Sequence, residues 1–480
     1  MKNKYRTLLI NSFWTLIGNS GSKLLGFLLL PLYTKWLGTY GFGVSDLITT
    51  YSSFLISIMT MSISEAIFVF TKNANEKEKE EYYSSSLNFI GIVLFIWCFL
   101  FYIAKEVTLF YKINNSFTDN IWLIYGIVLT SFLQQYVQQF VISIGKIKIY
   151  SFTGLILSIN TFLFSFILIP QMGVKGYIIS IIIANLITIL YSFTFSKSYK
   201  YFSLGTLDYQ KVRSILKYSI PLIPNSIIWW LVSGLNRPVM EYYLDYSSIG
   251  IYSIANRFPA VINMLFAIFS VSWNISVFEE FNKKGYEQFY TNTFKILFLV
   301  ITFFAILFNS FSELIINIFT TIDFKSAYLY MPFLILASFL SCVSGFLGTN
   351  FSVVKKSKYF FYSSVWGALT AVICNFVLIP KMELWGATIS TIISFGVMTF
   401  VRYKYSLRIL EVKLGKTIIL YSLLILISSF CSIAFSNMLV KMSITLGIII
   451  LLYIIERKFI INVPLKFSLY SLKNNQKKSN

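Results

Sequence analysis

Three bases stand where bases are costly. Lys23, Arg237 and Arg257 lie inside long apolar runs of a 480-residue chain. An ionised side chain at the middle of a bilayer costs about 2.5–3.5 kcal/mol on insertion scales. Each therefore needs an acid to pair with or an anion to bind. At 1.5 Å of rise per residue, Lys23 sits roughly 15 Å and Arg257 roughly 12 Å from the ends of their runs. Arg237 is nearer an end, where a long side chain can snorkel to water. Asp46 is the acid within reach of Lys23 or Arg257, and Glu241 is the acid nearest Arg237. Three cations in the outer half of one cavity would draw in an anionic group such as a phosphate or diphosphate. Glu65, towards the inner end of its run, fits a coupling proton or cation, or a structural partner.

Polar residues without charge gather nearby. Gln134, Gln135, Gln138 and Gln139 form two i, i+4 pairs on adjacent faces of one helix. Gln134 and Gln138 suit either sugar hydroxyls or contacts between helices. Asn19, Asn225, Asn263 and Asn274 admit the same two readings. Trp229, Trp230 and Trp273 suit stacking on sugars or packing against lipid. The chain has no histidine, and Cys98, Cys342, Cys374 and Cys431 all lie in apolar runs. No spacing matches a metal motif, and no catalytic group or cofactor site is indicated. The chemistry is binding and passage rather than catalysis.

The elements that carry these residues are membrane helices. The chain is 56% hydrophobic and 12% charged, with a mean hydropathy of +0.72. Soluble domains carry about twice that share of charge. The formal charge of +21 would suggest nucleic acid in a soluble protein. Here the bases fall in short breaks between apolar runs, so no nucleic-acid partner is expected. Apolar length predicts about fourteen spans, over 8–33, 44–71, 86–104, 120–144, 150–170, 175–196, 217–240, 249–278, 294–320, 327–354, 359–380, 384–403, 417–436 and 440–456. The first is read as a span rather than a cleaved signal. With span-end residues counted in the adjoining break, 30 Lys and Arg fall in the tails and even-numbered breaks, and 7 in the odd-numbered ones. That asymmetry places both termini in the cytoplasm.

The chain also repeats itself. Phe166, Leu168, Ile169, Pro170, Met172, Gly176, Ile179, Ser180, Ile182 and Ile183 recur 210 residues later, from Phe376 to Ile393. Lys146 and Lys148 return as Lys356 and Lys358 at the same offset. Nearer the N-terminus the offset is 207, matching Pro31, Leu37 and Gly43 with Pro238, Leu244 and Gly250. Each repeat holds six spans, an even number, so the halves are parallel and related by an axis along the membrane normal. The expected architecture is all-α: a six-helix lobe over 1–200, a second over 201–410, a central cavity between them, and a helix pair with a basic tail over 411–480. Pro221, Pro224 and Gly234 interrupt the seventh span and mark it as a hinge or a static kink.

These residues resemble a known family. The run from Pro31 through Gly38 to Gly41, then Pro221-Leu-Ile-Pro224, Asn236-Arg237 and the stretch Gly250 to Arg257 are similar to the Wzx-type flippases of O-antigen and capsule repeat units. Those belong to the multidrug/oligosaccharidyl-lipid/polysaccharide exporter superfamily. The family usually carries Asp-Arg where this chain has Asn236-Arg237. The resemblance covers essentially the whole chain. It implies a non-enzymatic translocase of the bacterial inner membrane. Its cargo would be an undecaprenyl-diphosphate-linked oligosaccharide, moved by alternating access for surface polysaccharide or lipopolysaccharide synthesis. Membrane lipid, a polysaccharide polymerase and a chain-length regulator are the partners it implies. Related lipid II flippases carry basic residues on the first and eighth helices, where Lys23 and Arg257 stand. A lipid II flippase and a multidrug exporter are the alternatives within the superfamily. A membrane polymerase is a poorer fit, because the external breaks are short and histidine is absent.

Overall fold

The computed structural model describes residues 26–112, 115–281, 283–354, 356–410 and 414–476. Its helices are α1 (Leu30–Met59), α2 (Ile63–Thr71), α3 (Glu76–Phe110), α4 (Ser116–Asp119), α5 (Ile121–Ser143), α6 (Ile147–Met172), α7 (Val174–Phe195), α8 (Tyr209–Ser219), α9 (Ile223–Ser233), α10 (Asn236–Tyr243), α11 (Tyr246–Arg257), α12 (Pro259–Glu280), α13 (Tyr286–Ser310), α14 (Ser312–Phe319), α15 (Ala327–Val353), α16 (Ser357–Ser406), α17 (Gly415–Ala434) and α18 (Met438–Gln476). There is no strand among the described residues. Among the described residues, eleven helical stretches are long and apolar enough to cross a membrane. The chain is an all-α, multi-pass membrane protein. The predicted fourth span is α5, which its glutamines keep out of those eleven. Most of the first predicted span lies outside the described residues.

Three predicted boundaries change, each for a local reason. Residues 34–43, expected as a break, are helical, and the chain bends instead at Gly38, at φ 62° and ψ −176°. The second predicted span stops early, at Met59. Met61 N–H bonds to Ile58 O and Ser62 N–H to Ser57 O, the paired contacts of a Schellman helix end. Met61 and Ser62 both take φ near 51°, which costs an L-residue about 1–2 kcal/mol each. The third span begins ten residues early because Asn75 and Glu78 form a capping box at the start of α3.

The repeat is visible in backbone detail. α6 and α16 both start at a lysine of the repeated pair, Lys146 at φ −88°, ψ 53° and Lys356 at φ −103°, ψ 55°. α6 ends at Gly173, at φ 55° and ψ −128°. α16 bends at the equivalent Glu383, at φ 49° and ψ −124°. A Cβ on Gly176 would lie 2.2 Å from Leu168 O, and one on Gly386 would lie 2.3 Å from Leu378 O. Each helical hairpin therefore closes on a backbone contact that only glycine permits.

The chain packs as two compact units. The first comprises the described part of Met1–Ile254 with Ile316–Ala327 and Phe361–Val397. Its core gathers Ile48, Ile67, Tyr83, Phe132, Tyr136 and Phe140, all fully buried. The buried Tyr136 hydroxyl is satisfied by Tyr83 O at 2.8 Å and Ser86 Oγ at 2.6 Å. The second unit comprises Ala255–Ile315, Tyr328–Phe360 and Met398 onward. In it Trp273 stacks on Phe346 with ring centroids 4.6 Å apart. Polar contacts tie α17 and α18 to α13 and α14. Asn309 donates to Ser428 Oγ at 2.7 Å and Ser429 Oγ at 3.0 Å. Lys295 pairs with Glu456 at 3.4 Å and Lys441 with Glu313 at 3.0 Å.

Candidate functional site

A buried polar cluster forms in the first unit where α1 meets α10 and α11. It starts from a break in the chain. Pro238 has no N–H, so it cannot cap the carbonyl of Gly234, and the Arg237 N–H takes that carbonyl instead at 3.2 Å. The carbonyl of Ser233 loses its helical donor in turn. The Arg237 guanidinium replaces it, with Nη1 donating to Ser233 O at 2.8 Å. The same nitrogen donates to Asn236 Oδ1 at 3.0 Å. Nε donates to Asp46 Oδ2 at 3.0 Å, closing an ion pair between residues 191 positions apart. The Tyr252 ring covers the guanidinium at 5.4 Å to its centroid.

Each neighbour is held in turn. Asp46 Oδ2 also accepts from Ser253 Oγ at 2.6 Å. Asn236 Nδ2 donates to the Tyr252 hydroxyl at 2.7 Å, and that hydroxyl meets Thr391 Oγ1 at 3.1 Å. α1 and α11 approach closely enough for these short side chains because two glycines face backbone. A Cβ on Gly43 would lie 1.9 Å from Tyr246 O, and one on Gly250 would lie 2.0 Å from Thr39 O.

The structure corrects one expected pairing. Arg237 is 8% exposed and pairs with Asp46; it neither snorkels nor meets Glu241. The Glu241 carboxylate instead receives the hydroxyls of Tyr51 and Tyr246 and the Ser116 N–H at 2.7 Å. It anchors α4 to α10. Sequence proximity favoured Glu241, four residues away, but α10 turns its carboxylate to other donors.

Lys23 and Asn19 lie outside the described residues. Arg257 ends α11, is exposed, and belongs to the second unit. Glu65 is exposed in the first turn of α2. Gln134 is buried, and Gln138 donates to Thr153 Oγ1 at 2.7 Å, bridging α5 and α6. Trp230 donates to Thr50 O at 3.2 Å, and the buried Trp273 donates to Thr349 Oγ1 at 3.2 Å. Both indoles therefore pack inside the protein. Asn263 donates to Ser338 Oγ at 3.2 Å. Pro221 lies in a 3-10 turn, Pro224 in the first turn of α9, and Gly234 ends α9. The seventh predicted span thus tightens to a 3-10 turn at Pro221 and its helix ends at Gly234. No group of three or more acidic, cysteine or histidine side chains suited to a metal occurs among the described residues.

Hydropathy missed other buried ions. Arg402 is fully buried in the second unit, donating to Ser344 O at 3.0 Å with its guanidinium 4.0 Å from the Phe360 ring centroid. Lys441 is 4% exposed. Both were counted with the breaks because they stand at span ends.

Comparison with known proteins bears first on the fold. The chain is similar to a lipid II flippase, MurJ, in an inward closed conformation, with a TM-score of 0.73 and 17% identity over 93% of this chain and 99% of that one. It is also similar to an inward-facing multidrug resistance MATE transporter of the MOP superfamily, with a TM-score of 0.59 and 13% identity over 81% of this chain and 97% of that one. The profile of the polysaccharide biosynthesis protein family matches residues 8–273, and the chain belongs to that family. Protein 1 of the Lsg locus of Haemophilus influenzae is 24% identical over 52% of this chain. This chain spans 60% of that relative's length. An uncharacterized membrane protein of Methanocaldococcus jannaschii is 21% identical over 83% of both chains.

Proposed function

We propose that this protein is a flippase for undecaprenyl-diphosphate-linked oligosaccharide repeat units. It would move them from the inner to the outer leaflet of the bacterial inner membrane by alternating access, with both termini in the cytoplasm. The observation that carries the reading is the family match joined to the MurJ-like fold. The family supplies polysaccharide synthesis, and the fold supplies a transporter scaffold. The lobes over 1–200 and 201–410 are the moving halves, and 411–480 is an accessory helix pair. Lys23 and Arg257 hold the diphosphate. Arg237 is committed to Asp46, so it is not counted among the cargo ligands. The contact of Gln138 with Thr153 supports a role in holding helices together more than one in meeting sugar.

Complementation tests this. In a strain lacking its repeat-unit flippase, the wild-type gene should restore surface glycan. Lys23→Ala or Arg257→Ala should abolish the restoration while protein remains in the membrane. Full glycan in both variants would remove the proposed cargo site. The fold likeness also favours a second reading, a lipid II flippase. Growth of cells depleted of their own lipid II flippase, sustained by this gene, would select that reading instead.

A further inference from the structure

We infer that Arg237 is a positioning residue: with Asp46 and Ser253 it latches α1 to α10 and α11, and this latch must part during transport. The inference rests on the flippase reading, in which the two repeats separate at the end that charge distribution turns outward. Three observations carry it.

The crossing of α1 and α11 is reciprocal. Gly43 lies against the carbonyl four residues before Gly250, and Gly250 against the carbonyl four residues before Gly43. Both pairs obey the 207-residue offset. At the two glycines the seam between the repeats is therefore bare backbone, and the Tyr40 and Tyr246 rings meet beside it.

Beside the glycines the crossing is also tied by charge, and the charge is asymmetric. Three residues beyond each glycine stand Asp46 and its repeat equivalent Ser253, joined at 2.6 Å. Arg237 enters from α10, and its equivalent in the first repeat is the apolar Leu30. This ion pair thus ties the crossing, together with Glu241, which accepts from Tyr51 on α1 and Tyr246 on α11.

The lock is of a separable kind. Water entering a parted seam can solvate Asp46, Ser253 and Arg237, whereas it could not replace apolar packing. The chain is also bent on both sides of it, at Gly38 before Asp46 and at Gly234 before Arg237. Three guanidinium hydrogen bonds are spent on protein partners, so Arg237 is turned to its own chain rather than to cargo.

The test bridges the seam while leaving the latch intact. The rings of Tyr40 on α1 and Tyr246 on α11 meet with centroids 5.2 Å apart. Tyr40→Cys with Tyr246→Cys, treated with a short bifunctional maleimide in the complemented strain, should arrest glycan export. Either single variant, treated alike, should continue. Export that persists in protein shown to be cross-linked overturns the inference.

A charge exchange provides the second arm. Asp46→Asn and Arg237→Met should each lower export about tenfold or more. Asp46→Arg combined with Arg237→Asp should recover to within about threefold of wild type. If the bridged pair does not react, an exchange as defective as the single variants, at full membrane abundance, overturns the latch and returns Arg237 to the cargo ligands. Failure of wild-type protein to restore glycan would instead count against the flippase reading.

Discussion

Equivalent positions in the two repeats carry opposite contents. In the first repeat, α5 brings Gln134 and Gln138, and α7 brings the small, buried Ser192. In the second, 210 residues on, α15 brings Ser344 and Gly348, and α16 brings Arg402. A Cβ on Gly348 would meet the Phe360 ring at 2.8 Å and Arg402 Nη1 at 3.4 Å. The long polar side chain has changed helices, and the small residues have changed with it. What the repeats share is a backbone template and a volume; which strand of the template carries the polar group is free to differ. The same lesson holds where Leu30 is the equivalent of Arg237 and Gly173 the equivalent of Glu383.

Four sets of substitutions break or sharpen that comparison, each read as a thermal midpoint in detergent. The largest effect falls where the repeats differ in charge. Arg237→Met should cost about 3–5 kcal/mol, since it strands Asp46 without its partner. Adding Asp46→Leu should recover part of that loss; a purely additive double variant would deny the pairing. Next come the positions the repeats share. Gly176→Val and Gly386→Val should each cost about 3 kcal/mol or more, because a Cβ there meets a carbonyl oxygen and nothing soft can move. Unequal losses would show that the two hairpins are not built alike.

A smaller effect tests the exchanged volume. Gly348→Gln should cost about 1–3 kcal/mol by crowding Arg402 and Phe360. Arg402→Ser in the same chain, copying the first repeat, should lessen that cost. The smallest change is a gain. Glu383→Gly should stabilise by about 1 kcal/mol, because the left-handed φ held there suits glycine and burdens glutamate. Gly173→Glu should lose a similar amount.

Much of the fold was legible because lipid imposes a strong rule on composition. Apolar length found the helices, and the 210-residue offset found hairpins that close on the same glycine contact. The capping signal of Asn75 and Glu78 was present too, but a hydropathy reading does not register polar turns that stay helical. Nothing in Met61-Ser62 announces a helix end, since neither residue is the glycine such a turn prefers. The candidate site was half legible. Arg237 stood out as a base within an apolar run, though nearer its end than Lys23 or Arg257, and Asp46 was matched to those two bases. The union of Arg237 with Asp46 was hidden because it depends on how α10 turns after Pro238, and local spacing pointed to Glu241. Arg402 and Lys441 escaped because an ion at a span end looks solvated until its neighbours are known.

The glycine crossing has one more consequence. A contact in which each partner offers the other the same groove and the same ridge is isologous, the geometry that lets two identical subunits associate. Here a single chain supplies both faces, Thr39 and Gly43 on one side and Tyr246 and Gly250 on the other. The two glycines are therefore a matched set. A side chain added to either one widens the gap for both, so neither position can drift unless the opposite helix retreats with it.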